Sequence, residues 1–139
     1  MRSLYLGSVV EKSGKSMVTL GLAKNFQGQV GFFKPFKERL MREGDRVIDQ
    51  DAYLMRHVLN LDKPEEVLCP FTYDVFRAAR MEEVKAAYKK AACDCEMMLI
   101  EGTREVTTGY LNDVSGLAIA EATGSDLVLI STPEAAALD

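Results

Sequence analysis

Gly14-Lys15-Ser16 is the stretch of this chain where residue types and spacing most directly suggest chemistry. An apolar run, "SLYLGSVV", gives way there to residues at helical spacing. A strand-loop-helix unit of this kind exposes the free N–H groups of a helix's first turn, and these, with the positive end of the helix dipole, attract phosphate. Lys15 would reach the outer phosphates, the Ser16 hydroxyl would bind Mg²⁺, and Gly14 would let backbone approach the anion with no Cβ in the way. The standard pattern G-x-x-x-x-G-K-[ST] asks for glycine at position 9, where this chain has Val9; the nearest upstream glycine is Gly7. The alternative is an ordinary helix start carrying an exposed lysine.

Three further positions could join this loop. Lys34 closes the run "VGFFK" and is followed by Pro35, which ends a strand because it cannot donate to a ladder. A lysine at the carboxyl end of a strand in a parallel sheet faces the ligand crevice and could neutralise phosphate; otherwise it is a solvated strand-end lysine. Asp49 and Asp51 precede a helix, where either could be a cap, and where a carboxylate could equally bind Mg²⁺ directly or through water. Glu101 ends the apolar run "MMLI" before Gly102, the place for an acid serving a phosphate-bound metal, or for an acid in a turn. The expected binding set is therefore Gly14, Lys15, Ser16 and Lys34 for nucleotide phosphates and Ser16, Asp51 and Glu101 for the metal. Catalytic residues stay unassigned, with Lys15 and Lys34 as candidates.

The elements that must position these groups alternate. The pattern predicts strands over 3–10, the segment "QVGFFKPF", "EMMLIEG" and "DLVLIST". It predicts helices from Lys15 to about Gly28, with Met17, Val18, Leu20, Leu22, Ala23 and Phe26 at helical spacing, and over 51–60, with Leu54, Val58 and Leu61 on one side. Further helices are expected over 74–92 and 112–123, the last stopped by Gly124. "KERLMREGDR" reads as a charged loop and "LDKPEEVLCPFTY" as irregular. Continuous apolar strands between helices predict an α/β fold with a mostly parallel sheet covered on both faces.

At 139 residues the chain fits one domain, 1–139. Its net charge of −4 argues against a nucleic-acid binder, and no apolar run approaches the roughly 18 residues of a membrane span. Cys69, Cys93 and Cys95 form no evenly spaced framework and read as reduced thiols of a cytoplasmic protein. Cys93 and Cys95 with His57 fall short of the four ligands of a zinc site. The seven methionines read as core filling, and His57 as structural or solvent-facing.

The order of these signals resembles the dethiobiotin synthetase-like branch of the P-loop fold: Gly14-Lys15-Ser16, then Lys34-Pro35, Asp51-Ala52 and Glu101-Gly102. "KSMVTLGLAKNFQGQVGFFKPF" and "MLIEGTREVTTGYLNDVSGLAIAEATGSDLVLIS" are most similar to the N-terminal domain of long-form phosphate acetyltransferases. The resemblance spans nearly the whole chain. It implies a three-layer P-loop NTPase-like fold, ATP or another nucleoside triphosphate with Mg²⁺ as ligand, and both acids serving the metal. The synthetase continues from Glu-Gly into a glycine-rich stretch that holds phosphate and substrate; "EGTREVTTG" stands here instead and looks like the acetyltransferase-associated version. The chain ends soon after its fourth predicted strand, where family members continue with elements that recognise the base. It is thus expected to be C-terminally shortened, either a fragment or a minimal version.

Three functions follow as expectations. One is a nucleotide-binding module that shifts an attached domain or partner. Another is a small ATP-dependent ligase activating a carboxylate or carbamate. The third is a vestigial domain serving association, including homo-oligomers.

Overall fold

A computed structural model describes residues 1–74, 79–92 and 94–134. In chain order the elements are β1 (Arg2–Ser8), α1 (Lys15–Asn25), β2 (Val30–Phe33), β3 (Phe36–Lys37), β4 (Leu40–Glu43), β5 (Arg46–Asp49), α2 (Gln50–Val58), α3 (Glu65–Leu68), β6 (Phe71–Thr72), α4 (Met81–Ala91), β7 (Met97–Glu101), a 3-10 turn (Tyr110–Asn112), α5 (Gly116–Thr123) and β8 (Asp126–Ile130). The central sheet runs β2-β7-β1-β8 and all its pairings are parallel. Alternate side chains of each strand enter different cores. Leu6 and Leu99 meet Ala23 of α1 on one face, while Tyr5, Met98 and Ile100 meet Val84 and Tyr88 of α4 and Ile119 of α5 on the other. Helices thus sandwich a parallel sheet, as continuous apolar strands require. This α/β architecture is that of a P-loop NTPase-like fold.

Several local expectations are corrected. The charged segment expected as a loop is an antiparallel hairpin, β4–β5, turned through Gly44 at φ +62. Both faces of the hairpin are largely wet, so no apolar alternation announces it. Arg46 fastens it by ion pairs to Glu43 and Glu66 at 2.7 Å each, and the buried Glu65 also receives Arg56 at 2.9 Å. The stretch expected as irregular holds the short α3 and β6, which pairs with β3.

Helix α2 turns Asp51, Ala52 and Met55 inward, whereas Leu54 and Val58 face solvent. Ala52 and Met55, with Leu59 behind them, pack against Phe32 and Leu68. That apolar face, not the one carrying Leu54 and Val58, sets the rotation and brings Asp51 inward beside it. On α1 the buried side chains are Lys15, Thr19 and Ala23, with Met17, Val18 and Leu22 exposed. Small residues at Thr19 and Ala23 bring this helix close to the sheet. It ends at Asn25 with Phe26 extended, before Gly28. The helix expected over 74–92 begins only at Met81, where the Arg80 N–H donates to the Glu83 carboxylate at 2.8 Å; residues 75–78 lie outside the described residues. The helix expected from Asn112 starts at Gly116, because the Ser115 hydroxyl caps it by accepting from the Ala118 N–H. Gly124 does stop it, at φ +64.

Met55 and Met98 fill core positions, but Met1 and Met17 are exposed. His57 is a surface residue, its ring against Tyr53 and its Nδ1 at 2.7 Å from the Tyr53 carbonyl. Among the described residues no helix is long and apolar enough to cross a membrane.

Candidate functional site

Parallel pairing puts the carboxyl ends of β1, β2 and β7 at one rim of the sheet, and the four sequence-distant groups come together there. Gly14 adopts φ +89 as the N-cap of α1, a conformation glycine takes without cost. The first helical bond runs from the Val18 N–H to the Gly14 carbonyl at 3.0 Å, so the N–H groups of Lys15, Ser16 and Met17 have no partner inside the helix. Within the loop, Lys12 is also left-handed at φ +60, and the Ser13 hydroxyl folds back onto the Val10 carbonyl. β1 passes directly into this loop, with the Val9 N–H on the Ile130 carbonyl at 2.9 Å.

Ser16 and Glu101 meet: the hydroxyl donates to Oε1 at 2.8 Å. Glu101 is fully buried, and its second oxygen, Oε2, has no hydrogen-bond partner. Burial pushes the Glu101 carboxyl up to about 7, helped by the nearby Asp51 charge and opposed by Lys34, Ser16 and Lys15. The Lys15 ammonium bonds the Arg104 carbonyl at 3.4 Å.

Lys34 follows β2 directly and is fully buried. Its ammonium lies 2.6 Å from Asp51, 3.2 Å from Asp49, 3.4 Å from Glu38 and 3.8 Å from Glu101. Burial alone would lower its pKa, but Glu101, Asp49 and Asp51 more than offset that and hold it charged, above the usual lysine range. Lys34 is therefore the counter-ion of an acidic cluster beneath the loop, not a strand-end lysine in solvent.

The two aspartates divide their work. Asp49 is the N-cap of α2: Oδ1 accepts from the Asp51 and Ala52 N–H groups at 2.9 and 3.1 Å, and Oδ2 from Glu38 N–H at 2.9 Å. Asp51 makes no cap and turns to Lys34. Burial would raise the Asp51 carboxyl, yet Lys34, with Arg39 and Ser16, brings it below the ordinary carboxylate value. The environments push Asp51 and Glu101 in opposite directions, one firmly ionised and one poised near neutrality.

An open cavity of about 580 Å³ lies over the loop, bounded by Ser8 and residues 11–17 on one side and Glu38, Arg39, Asp51 and Arg104 on the other. Sequence reasoning missed Glu38, Arg39 and Arg104, because only the folded chain carries them to the loop.

The donor set suits a hard cation. Mg²⁺ binds a hydroxyl, one or two carboxylates and retained waters or phosphates, without a closed protein cage. The unpartnered Glu101 Oε2, on the carboxylate that Ser16 already contacts through Oε1, offers the free lone pair such an ion would take, with Asp51 a second acid beside Ser16. Among the described residues no three His, Cys, Asp or Glu side chains are gathered as a metal cage. Cys93 lies outside the described residues, and Cys69 and Cys95 are free and buried.

The Glu101 environment predicts a pH effect on the fold. Its carboxyl titrates near 4.5 unfolded and near 7 folded, so the folded state binds more protons between those values. Stability must then fall as pH rises from about 4.5 to about 7 and level off above. Glu101→Gln removes the buried charge while keeping a hydrogen-bonding group. Above pH 7 the ligand-free variant is expected to be more stable than the wild type by on the order of 1–3 kcal/mol, with the difference vanishing toward pH 4.5, as read by thermal melts across pH. A variant less stable at pH 8 would contradict this assignment.

The sequence model of the AAA domain family matches residues 2–139. A glycine-lysine-serine turn at the head of α1, an acid at the end of β7 and a parallel sheet joining them accompany a match over nearly the full length. The chain belongs to the AAA domain family, a P-loop NTPase-like family that includes dethiobiotin synthetase-like members and whose membership suggests nucleotide binding.

Proposed function

We propose that this chain binds a nucleoside triphosphate, ATP in the first instance, together with Mg²⁺, and acts as a regulatory or structural domain. The observation that carries the reading is the contact of the half-buried Ser16 hydroxyl with the buried Glu101 carboxylate beneath the free amides of the α1 N-terminus, with one Glu101 oxygen lacking any hydrogen-bond partner. Ser16, Glu101 and Asp51 would hold the ion, and Lys15 would reach the outer phosphates from its present bond to Arg104. When bound, Mg²⁺ supplies charge neutralisation between phosphate oxygens and these acids. Lys34 would act from below, keeping Asp51 ionised.

The regulatory or structural role draws on the likeness to the N-terminal domain of long-form phosphate acetyltransferases. The loop after Glu101 supports it. Where a glycine-rich cradle would serve substrate, Val106 is wedged against Gly7, so that a Cβ added there would lie 3.1 Å from its methyl. Exposed Leu127 and Leu129 on the outer strand support an attached domain or a homo-oligomer, and the free thiols a cytoplasmic setting.

Calorimetric titration with Mg²⁺-ATP and Mg²⁺-GTP tests the reading, paired with an assay of released phosphate. Saturable heat that depends on Mg²⁺, with little or no turnover, is expected. Steady phosphate release on adding a carboxylate or amine substrate would replace the reading with the ligase. No heat and no thermal shift with either nucleotide would leave only an association domain.

A further inference from the structure

The loop that follows Glu101 is pinned at both ends to the strand that feeds the phosphate loop. The Gly102 N–H donates to the Leu6 carbonyl at 2.9 Å, and the Val106 N–H to the Ser8 carbonyl at 2.7 Å. The span between is too short to wander, and its apex is Arg104, held in the left-handed region at φ +41. A non-glycine residue adopts that conformation at a cost, and such outliers persist where surrounding contacts over-determine them.

Those contacts all lead to the candidate site. The Arg104 carbonyl holds the Lys15 ammonium, its N–H donates to Glu38 Oε1, and its guanidinium reaches Glu11 of the phosphate loop. Two carboxylates therefore occupy the donors of one residue at the mouth of an anion-binding cavity. The Glu11 pair is weak by construction. It uses a single nitrogen at 3.5 Å, and its side chains are 67% and 51% exposed. A guanidinium fork binds phosphate oxygens through two parallel, charge-assisted bonds. An incoming polyphosphate would outcompete one exposed carboxylate.

We propose that Arg104 is a direct contact for the outermost phosphate of a bound nucleoside triphosphate, and that Glu11 stands in for that phosphate in the free protein. This rests on the nucleotide reading above and adds to it a source of discrimination between triphosphate and diphosphate. Lys15 marks where the outer phosphates would rest, and the two pinned ends of the loop and the Glu38 contact keep Arg104 beside that ammonium when Lys15 leaves the Arg104 carbonyl. The guanidinium therefore meets the far end of the phosphate chain, not the base.

The test is calorimetric titration of the full chain with Mg²⁺-ATP and with Mg²⁺-ADP. Arg104→Ala should weaken ATP binding about tenfold and ADP binding less than about twofold, the worth of one charge-assisted contact. Arg104→Gly should do the same while relieving the apex conformation, so that its melting temperature does not fall. Glu11→Gln should tighten ATP binding about threefold by removing the competitor. Equal losses for both nucleotides in Arg104→Ala, or no loss, would overturn this inference alone. Binding of neither nucleotide by the wild type would overturn the nucleotide reading and this inference with it.

Discussion

Replacing Lys34 with methionine is expected to cost the fold about 3–5 kcal/mol, the range for removing one partner of a buried ion pair. The physical reason is charge left uncompensated in a dry place. Asp49, Asp51 and Glu101 are all buried, and the Lys34 ammonium lies within 4 Å of each. Methionine fills much the same volume, so the loss is electrostatic and not a cavity. The expected readout is a fall in melting temperature of about 10 °C or more at pH 7. The deficit should shrink on acidification. Without the lysine, the stranded carboxyls have folded pKa values above their unfolded ones, so the variant folds best where they are protonated and worsens as pH rises through that range. A melting temperature within about 2 °C of the wild type at pH 7 would mean that the cluster is solvated or otherwise neutralised.

Lys15→Ala should behave in the opposite way, with the fold spared and the ligand lost. Lys15 makes one long bond to a carbonyl in the free protein and is the weakest of the groups that favour the Glu101 charge, so the melting temperature should fall by less than about 5 °C, far less than for Lys34→Met. Nucleotide affinity should fall at least about 100-fold, the value of roughly two charge-assisted hydrogen bonds to phosphate. The contrast separates a lysine that holds the protein together from one that is held in reserve. Retained affinity in Lys15→Ala, measured by titration with Mg²⁺-ATP, would move the anion site elsewhere.

Sequence alone made some of this legible and left the rest hidden for identifiable reasons. Gly14-Lys15-Ser16 and Glu101-Gly102 are local signals. Each needs only its own strand and the element beside it, and parallel pairing then brings them together. Asp49 and Asp51 were ambiguous because both residue types cap helices and both bind cations. The choice depends on which carboxylate meets the first-turn amides, and Asp49 does so. The burial of Lys34 was illegible because lysine by itself predicts solvent; only the converging acids make a buried ammonium tolerable. The β4–β5 hairpin escaped notice because most of its residues are exposed and only Ile48 and Asp49 at its end are buried, and the inward face of α2 because Ala52 and Met55 form a shorter apolar stripe than Leu54, Val58 and Leu61 suggest. Glu38 and Arg104 are 66 residues apart, and no local pattern could have joined them.

In the proposed function Lys15, Ser16 and Glu101 form a single anchor for a metal-bound triphosphate at the head of α1. The most direct measurement is a crystal structure grown with Mn²⁺ and a non-hydrolysable ATP analogue. A manganese anomalous peak is expected against the Ser16 hydroxyl and the Glu101 oxygen that has no hydrogen-bond partner, with the Lys15 ammonium moved from the Arg104 carbonyl onto a phosphate. A nucleotide seated elsewhere, or crystals in which Ser16 still donates to an unmetallated Glu101 and Lys15 still holds Arg104, would contradict it.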